Sequence, residues 1–194
     1  MEDKTPELPH LSVEFFVWLW YASERDGGTM DLGDPDGGGA GVCDVWVEER
    51  LSFRPRDEDR ARAVLTGENA SSSLEARAAL ASGKVVKDLQ LHLRREEREY
   101  TVVLRGAHLD LAGAKLPPHA TDGEGELLFE RMYLYEDLWF LVGALYRRFA
   151  VERTAAAWHE HTLPAIRAWV AGADPQPTDE HDEDARPTQV SDEE

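Results

Sequence analysis

The chain predicts an α+β fold, an antiparallel β-meander and hairpins packed with a buried N-terminal helix and a long C-terminal amphipathic helix. Three stretches carry that expectation. Residues 87–105 alternate apolar and polar with the period of two that a half-buried strand requires: Leu89, Leu91 and Leu93, then Tyr100, Val102 and Leu104. Residues 8–25 are apolar around nearly the whole helical wheel, which demands burial in a core or an interface. Residues 128–149 carry Leu128, Met132, Tyr135, Leu138 or Trp139, Val142, Leu145 and Phe149 at helical spacing.

In chain order, residues 1–7 form a tail, and a domain over 8–171 begins with that first helix. Residues 26–41 hold a glycine-rich stretch with Asp31, Asp34, Pro35 and Asp36, the composition of a flexible loop. Residues 42–47 and 51–54 flank Glu48–Arg50 and suggest a hairpin, although those are not favoured turn residues. Residues 62–67 suggest a short strand. A serine-capped helix follows, closed by Gly83. A turn at Glu96-Glu97 then pairs Leu93 with Tyr100, Leu91 with Val102 and Leu89 with Leu104. On the other face it sets Arg94 across from Glu99 and Asp88 across from Arg105. Leu109 and Leu111 continue the meander. After the breaker-rich 117–125 come the long helix and a further helix over 154–170, interrupted at Pro164. Residues 172–194, rich in acids and prolines, are expected to be a disordered tail.

The formal charge is −18. Residues 171–194 hold nine acids against Arg186 alone, a charge of −8, which leaves −10 on the rest. Such a field repels phosphate backbones on average, so contact with DNA needs a local basic surface. Basic residues gather at Arg54, Arg56, Arg60 and Arg62, and again at Lys84, Lys87, Arg94, Arg95 and Arg98, interleaved with acids each time. No long apolar run suggests a membrane span. Cys43, the single cysteine, forms no internal disulfide and points to a reducing cytoplasm.

Motifs of catalysis and metal binding fail on inspection. A calcium loop ending at Asp36-Gly37 needs an acid at Leu32 and a glutamate at Cys43; a dinucleotide fingerprint from Gly37 needs a glycine at Val42. Gly83-Lys84 lacks the rest of a P-loop, and Ser71-Ser72-Ser73 lacks the glycines of a nucleophile elbow. His159 and His161, two apart on a helix, diverge by about 200° and are poor joint ligands. Cys43 reads as a half-buried strand residue, and His92 and His108 as solvated. The expectation is no enzyme, no metal, no cofactor and no small-molecule substrate. Phe15, Phe16, Trp18 and Trp20, with no Lys or Arg among them to make a base-stacking platform, are candidates for an interface with a second copy or a partner protein.

Residues 81–104, ASGKVVKDLQLHLRREEREYTVVL, resemble a stretch of the recombination-associated RdgC family in which a short helix ends in a Gly-Lys-Val-Val turn and opens a strand. Residues 11–24, LSVEFFVWLWYASE, resemble that family's upstream helix, and residues 130–149, ERMYLYEDLWFLVGALYRRF, its C-terminal helix. The likeness is to the C-terminal half only. RdgC proteins form ring-shaped homodimers around duplex DNA without sequence preference and restrain recombination. The resemblance therefore implies a non-enzymatic accessory protein of DNA recombination or repair, nucleoid-associated, that touches DNA weakly through Lys84, Lys87, Arg94, Arg95 and Arg98. The alternative is a protein–protein interaction module that keeps the fold without binding DNA.

Overall fold

The structure, a computed structural model, describes residues 9–34, 37–54, 63–66, 74–106, 109–121 and 123–175. Its centre is the hairpin that the alternation predicts. Strands β4 (Val85–Arg95) and β5 (Arg98–Arg105) pair antiparallel in the expected register, Leu93 with Tyr100, Leu91 with Val102 and Leu89 with Leu104. Those six side chains are buried and line one face of the sheet. Glu96 takes a positive φ of 56° in the turn, a conformation that costs a non-glycine residue energy and is offset by the paired strands on both sides.

The other strands extend this pair to a six-stranded antiparallel sheet in the order β1-β2-β4-β5-β6, with β3 (Ala63–Thr66) pairing to β2 beside β1 (Thr29–Asp31). The expected hairpin at residues 42–54 is instead one long strand, β2 (Val42–Arg54). Glu48–Arg50 supply no turn-favouring residue, so the chain runs on and absorbs its surplus as a bulge between Val47 and Leu51 against β4. The glycine-rich stretch also differs from a bare loop. It contains β1, and backbone bonds from Leu32 to Gly41, Ala40 to Leu32 and Gly41 to Gly33 continue the pairing of β1 with β2. Strand β6 (Asp110–Lys115) forms the far edge.

Among the described residues, four helices accompany the sheet. The largely apolar α1 (Pro9–Arg25) lies against β2 and β4 and also packs on α3 (Glu124–Thr154) and α4 (Leu163–Val170). That placement corrects the interface expectation: Phe15, Phe16, Trp18 and Trp20 are all fully buried within this one chain. Phe15 and Trp18 pack on Phe149 of α3, and Trp20 meets Trp169 of α4 edge-on, with ring centroids 4.9 Å apart. Their polar atoms are satisfied too, Trp18 Nε1 donating to Glu152 and both Trp20 and Trp169 Nε1 to Glu24. The short α2 (Leu74–Ala81) ends where expected, at Gly83 with φ +84°, and its Arg77 reaches the same Glu24. Between α3 and α4 the chain breaks at Ala155 and makes one wide helical turn, Trp158–Thr162, before Pro164 opens α4. Arg25, Asp26, Arg148 and Glu152 form a linked set of ion pairs that fastens the end of α1 to α3. Among the described residues no helix is long and apolar enough to cross a membrane. The acidic segment 176–194 and the arginines Arg56, Arg60 and Arg62 lie outside the described residues, as does His108.

Candidate functional site on the hairpin and the long helix

Consecutive strand residues point to opposite faces, so Arg94 and Arg95 cannot serve one surface. Arg94 lies on the open face of the sheet. The register sets it opposite Glu99, but its guanidinium turns to Asp44 on β2, 2.6 Å away, and stacks over Trp46 at 5.3 Å. The Arg94 and Thr29 hydrogen bonds hold the Asp44 carboxyl below its usual range. His92 meets the Trp46 ring at a tilt, with centroids 5.4 Å apart, rather than standing alone in solvent. Arg95 points inward and pairs with Asp137 of α3.

Asp137 is the polar node of the core. It is buried, and it also accepts from the Tyr100 hydroxyl at 2.5 Å and from Arg98 at 3.4 Å. Burial and the neighbouring carboxylate both push the Tyr100 phenol well above its ordinary pKa, so it stays a donor. Arg98 also lies over Tyr133, whose hydroxyl it reaches at 3.2 Å. Cys43 is fully buried beneath this node, not half-buried as expected, and burial raises its thiol to about 11. The cluster therefore carries no nucleophile. It is a clamp between the β4–β5 hairpin and α3.

Of the five basic residues expected to meet DNA, four already have a carboxylate, because Lys87 sits 3.6 Å from Asp88. Lys84 has none among the described residues. Among the described residues, too, no group of three or more His, Cys, Asp or Glu side chains is arranged to hold a metal ion, and His159 and His161 are exposed. No protein-family model matches the chain, and no curated protein or solved structure does either.

What residue spacing missed lies on α3. Leu134, Leu138, Leu141, Leu145 and Phe149 are its buried stripe. Leu128, Met132 and Tyr135, expected in the helix's apolar stripe, and Trp139, the alternative to the buried Leu138, form a second apolar stripe roughly 120° around the axis and are exposed. Eight of the ten exposed large apolar residues among the described residues belong to this one helix. A groove of about 440 Å³ runs along it beside Leu111 of the edge strand β6, floored by Tyr135, Trp139, Phe140 and Gly143. The sequence held a signal for this: two interleaved stripes at four-and-three spacing on one helix.

Proposed function

We propose that this chain is a non-enzymatic accessory protein of DNA recombination or repair, RdgC-like in kind, touching duplex DNA weakly and without sequence preference. One observation carries the reading. The segment with the most specific resemblance leads from the end of α2 through Gly83, φ +84°, into β4 and its hairpin; of the other two resembling stretches, α1 packs on β4, and α3 is tied to the hairpin through Asp137. Phosphate contact rests on Lys84, Lys87 and Arg94, since Arg95 and Arg98 are held by Asp137. Two or three such contacts imply a log–log salt slope of about −2 to −3 on duplex DNA. A salt-dependent duplex-binding titration is the test. Deleting residues 174–194, which remove a charge of −8, should tighten binding. If the shortened chain binds neither duplex nor single strands at low salt, the nucleic-acid reading fails.

A second reading, a protein-interaction module without DNA binding, is favoured by the same ion pairs and by the exposed apolar residues of α3. Loss of all DNA binding in a correctly folded chain would select it.

A further inference from the structure

The last strand of an open sheet presents a row of backbone N–H and C=O groups that water or another chain must meet. Strand β6 is such an edge. Among the described residues its one ladder is with β5, and its backbone makes no further hydrogen bond. A bulge at Gly113, φ +58°, takes up the register shift against β5 and leaves Asp110–Ala112 as the regular stretch of this edge. Beside it runs the groove along α3, which Leu111 lines together with Tyr135, Trp139, Phe140 and Gly143. A free edge next to an apolar trough is the surface an extended peptide needs. It offers main-chain hydrogen bonds on one side and a place for every second side chain on the other.

We infer that an extended segment of a partner protein adds to β6 as a further strand, antiparallel to it. Its apolar side chains enter the groove at alternate positions, with a basic residue before them and an acidic one after. Reach, direction and shape choose this occupant. Glu136 and Arg147 are the charged side chains of the groove, eleven residues apart on α3. That is about 16 Å along the helix, which about five residues of extended chain span. A compact ligand in the trough reaches one of them, whereas an extended chain meets both. Neither has an ion pair among the described residues, and Arg147 lies over the Phe140 ring, 5.5 Å from its centroid, which sets its charge against the groove wall.

Direction follows from the sheet. Strand β5 begins beside Tyr133 and Asp137 of α3. It ends at Gly106, where a Cβ would come 3.1 Å from the Phe16 ring, and the adjacent Phe15 packs on Tyr146 and Phe149 of α3. Strand β5 thus runs along α3, and β6 runs back against it. A strand antiparallel to β6 follows α3 again, bringing its N-terminal end to Glu136 and its C-terminal end to Arg147. Between those ends Gly143 deepens the trough. A Cβ there would meet only the Arg147 guanidinium, at 3.6 Å, so the space above it is open to a partner's side chain. A docked helix would cover the trough but leave the β6 backbone groups to water. Such a partner fills in the interaction-module reading, on which it rests, and engages none of Lys84, Lys87 and Arg94.

Selection of a random displayed-peptide library on the full chain, followed by synthesis of the strongest binder, is the test. Enriched peptides should alternate apolar and polar residues, with Lys or Arg before the apolar set and Asp or Glu after it. Backbone N-methylation of every second residue should abolish binding in one phase and spare it in the other, because alternate amides face the sheet edge and the solvent. Trp139→Ala and Gly143→Leu, both at open positions that leave the circular dichroism spectrum unchanged, should each weaken binding about tenfold or more. Arg147→Glu should turn the selected acid into a base. Binders with apolar residues at helical spacing, or binders that accept N-methyl groups equally in both phases, keep the interaction module and overturn strand addition. Binders indifferent to both Trp139→Ala and Gly143→Leu overturn it as well. A library that yields no binder also overturns it, and if duplex binding is then seen in the salt titration, the interaction-module reading falls too.

Discussion

Asp137 and Asp44 are both carboxylates paired with arginines of the same strand, yet they differ in what they are worth. Asp137 has a side chain only 7% exposed and serves Arg95, Arg98 and the Tyr100 hydroxyl at once. Removing it strands buried donors, so Asp137→Ala should cost about 3 kcal/mol in chemical denaturation. Asp44 holds Arg94 at the surface, where water replaces what is lost, and Asp44→Ala should cost under about 1 kcal/mol. Equal losses in the two variants would show that the node is no clamp. Beside it, Cys43 combines full burial with a thiol pushed up to about 11. It should react with a thiol reagent at pH 8 only as fast as the chain unfolds; labelling at the rate of a free cysteine would contradict its placement.

At the scale of elements, the glycine stretch and the long helix invert their expected parts. The stretch acts as an extension of the sheet, and a Cβ at Gly39 would collide with the carbonyl group of Gly33. Gly39→Ala should therefore destabilise by about 1–3 kcal/mol, as overpacking does. Gly125→Ala, at an open position in the first turn of α3, should be neutral or stabilise by up to about 1 kcal/mol. Melting temperatures of the two variants that move together would refute the difference. For α3, Glu130 pins the preceding connection by accepting from Ala120 and Thr121, so the helix start is fixed although Gly123 offers no side-chain cap.

For the molecule as a whole, three described groups of the kind that lose their proton to become anions have folded-state pKa values above their ordinary ones: Cys43, Tyr21 and Tyr100, each chiefly by burial. All three are neutral when protonated. Their contribution is thus complete below the ordinary value and is lost as pH rises toward the folded one, because the unfolded chain releases protons first. Stability should fall between about pH 9, the ordinary value for a thiol, and about pH 11, the folded value for Cys43. Cys43→Ala should flatten the early part of that decline. A denaturation midpoint constant from pH 8 to 11 would refute the burial of these groups.

The order and register of the hairpin were legible in the sequence because strand alternation and a turn are local: each residue's face follows from its neighbours two positions away. Gly83 and the long helix were legible for the same reason. What the tertiary structure alone decided is which of several apolar surfaces meets which. Residues 8–25 and 128–149 both advertise burial, and only packing against β2, β4 and α4 gives α1 its cover while leaving one stripe of α3 outside. The basic residues show the same limit. Interleaved acids mark a mixed-charge surface, but the partners that matter, Asp44 for Arg94 and Asp137 for Arg95, lie 50 and 42 residues away in the chain. Local periodicity fixes the direction in which a side chain points. The free energy of burying it depends on what distant residues the fold brings to that side.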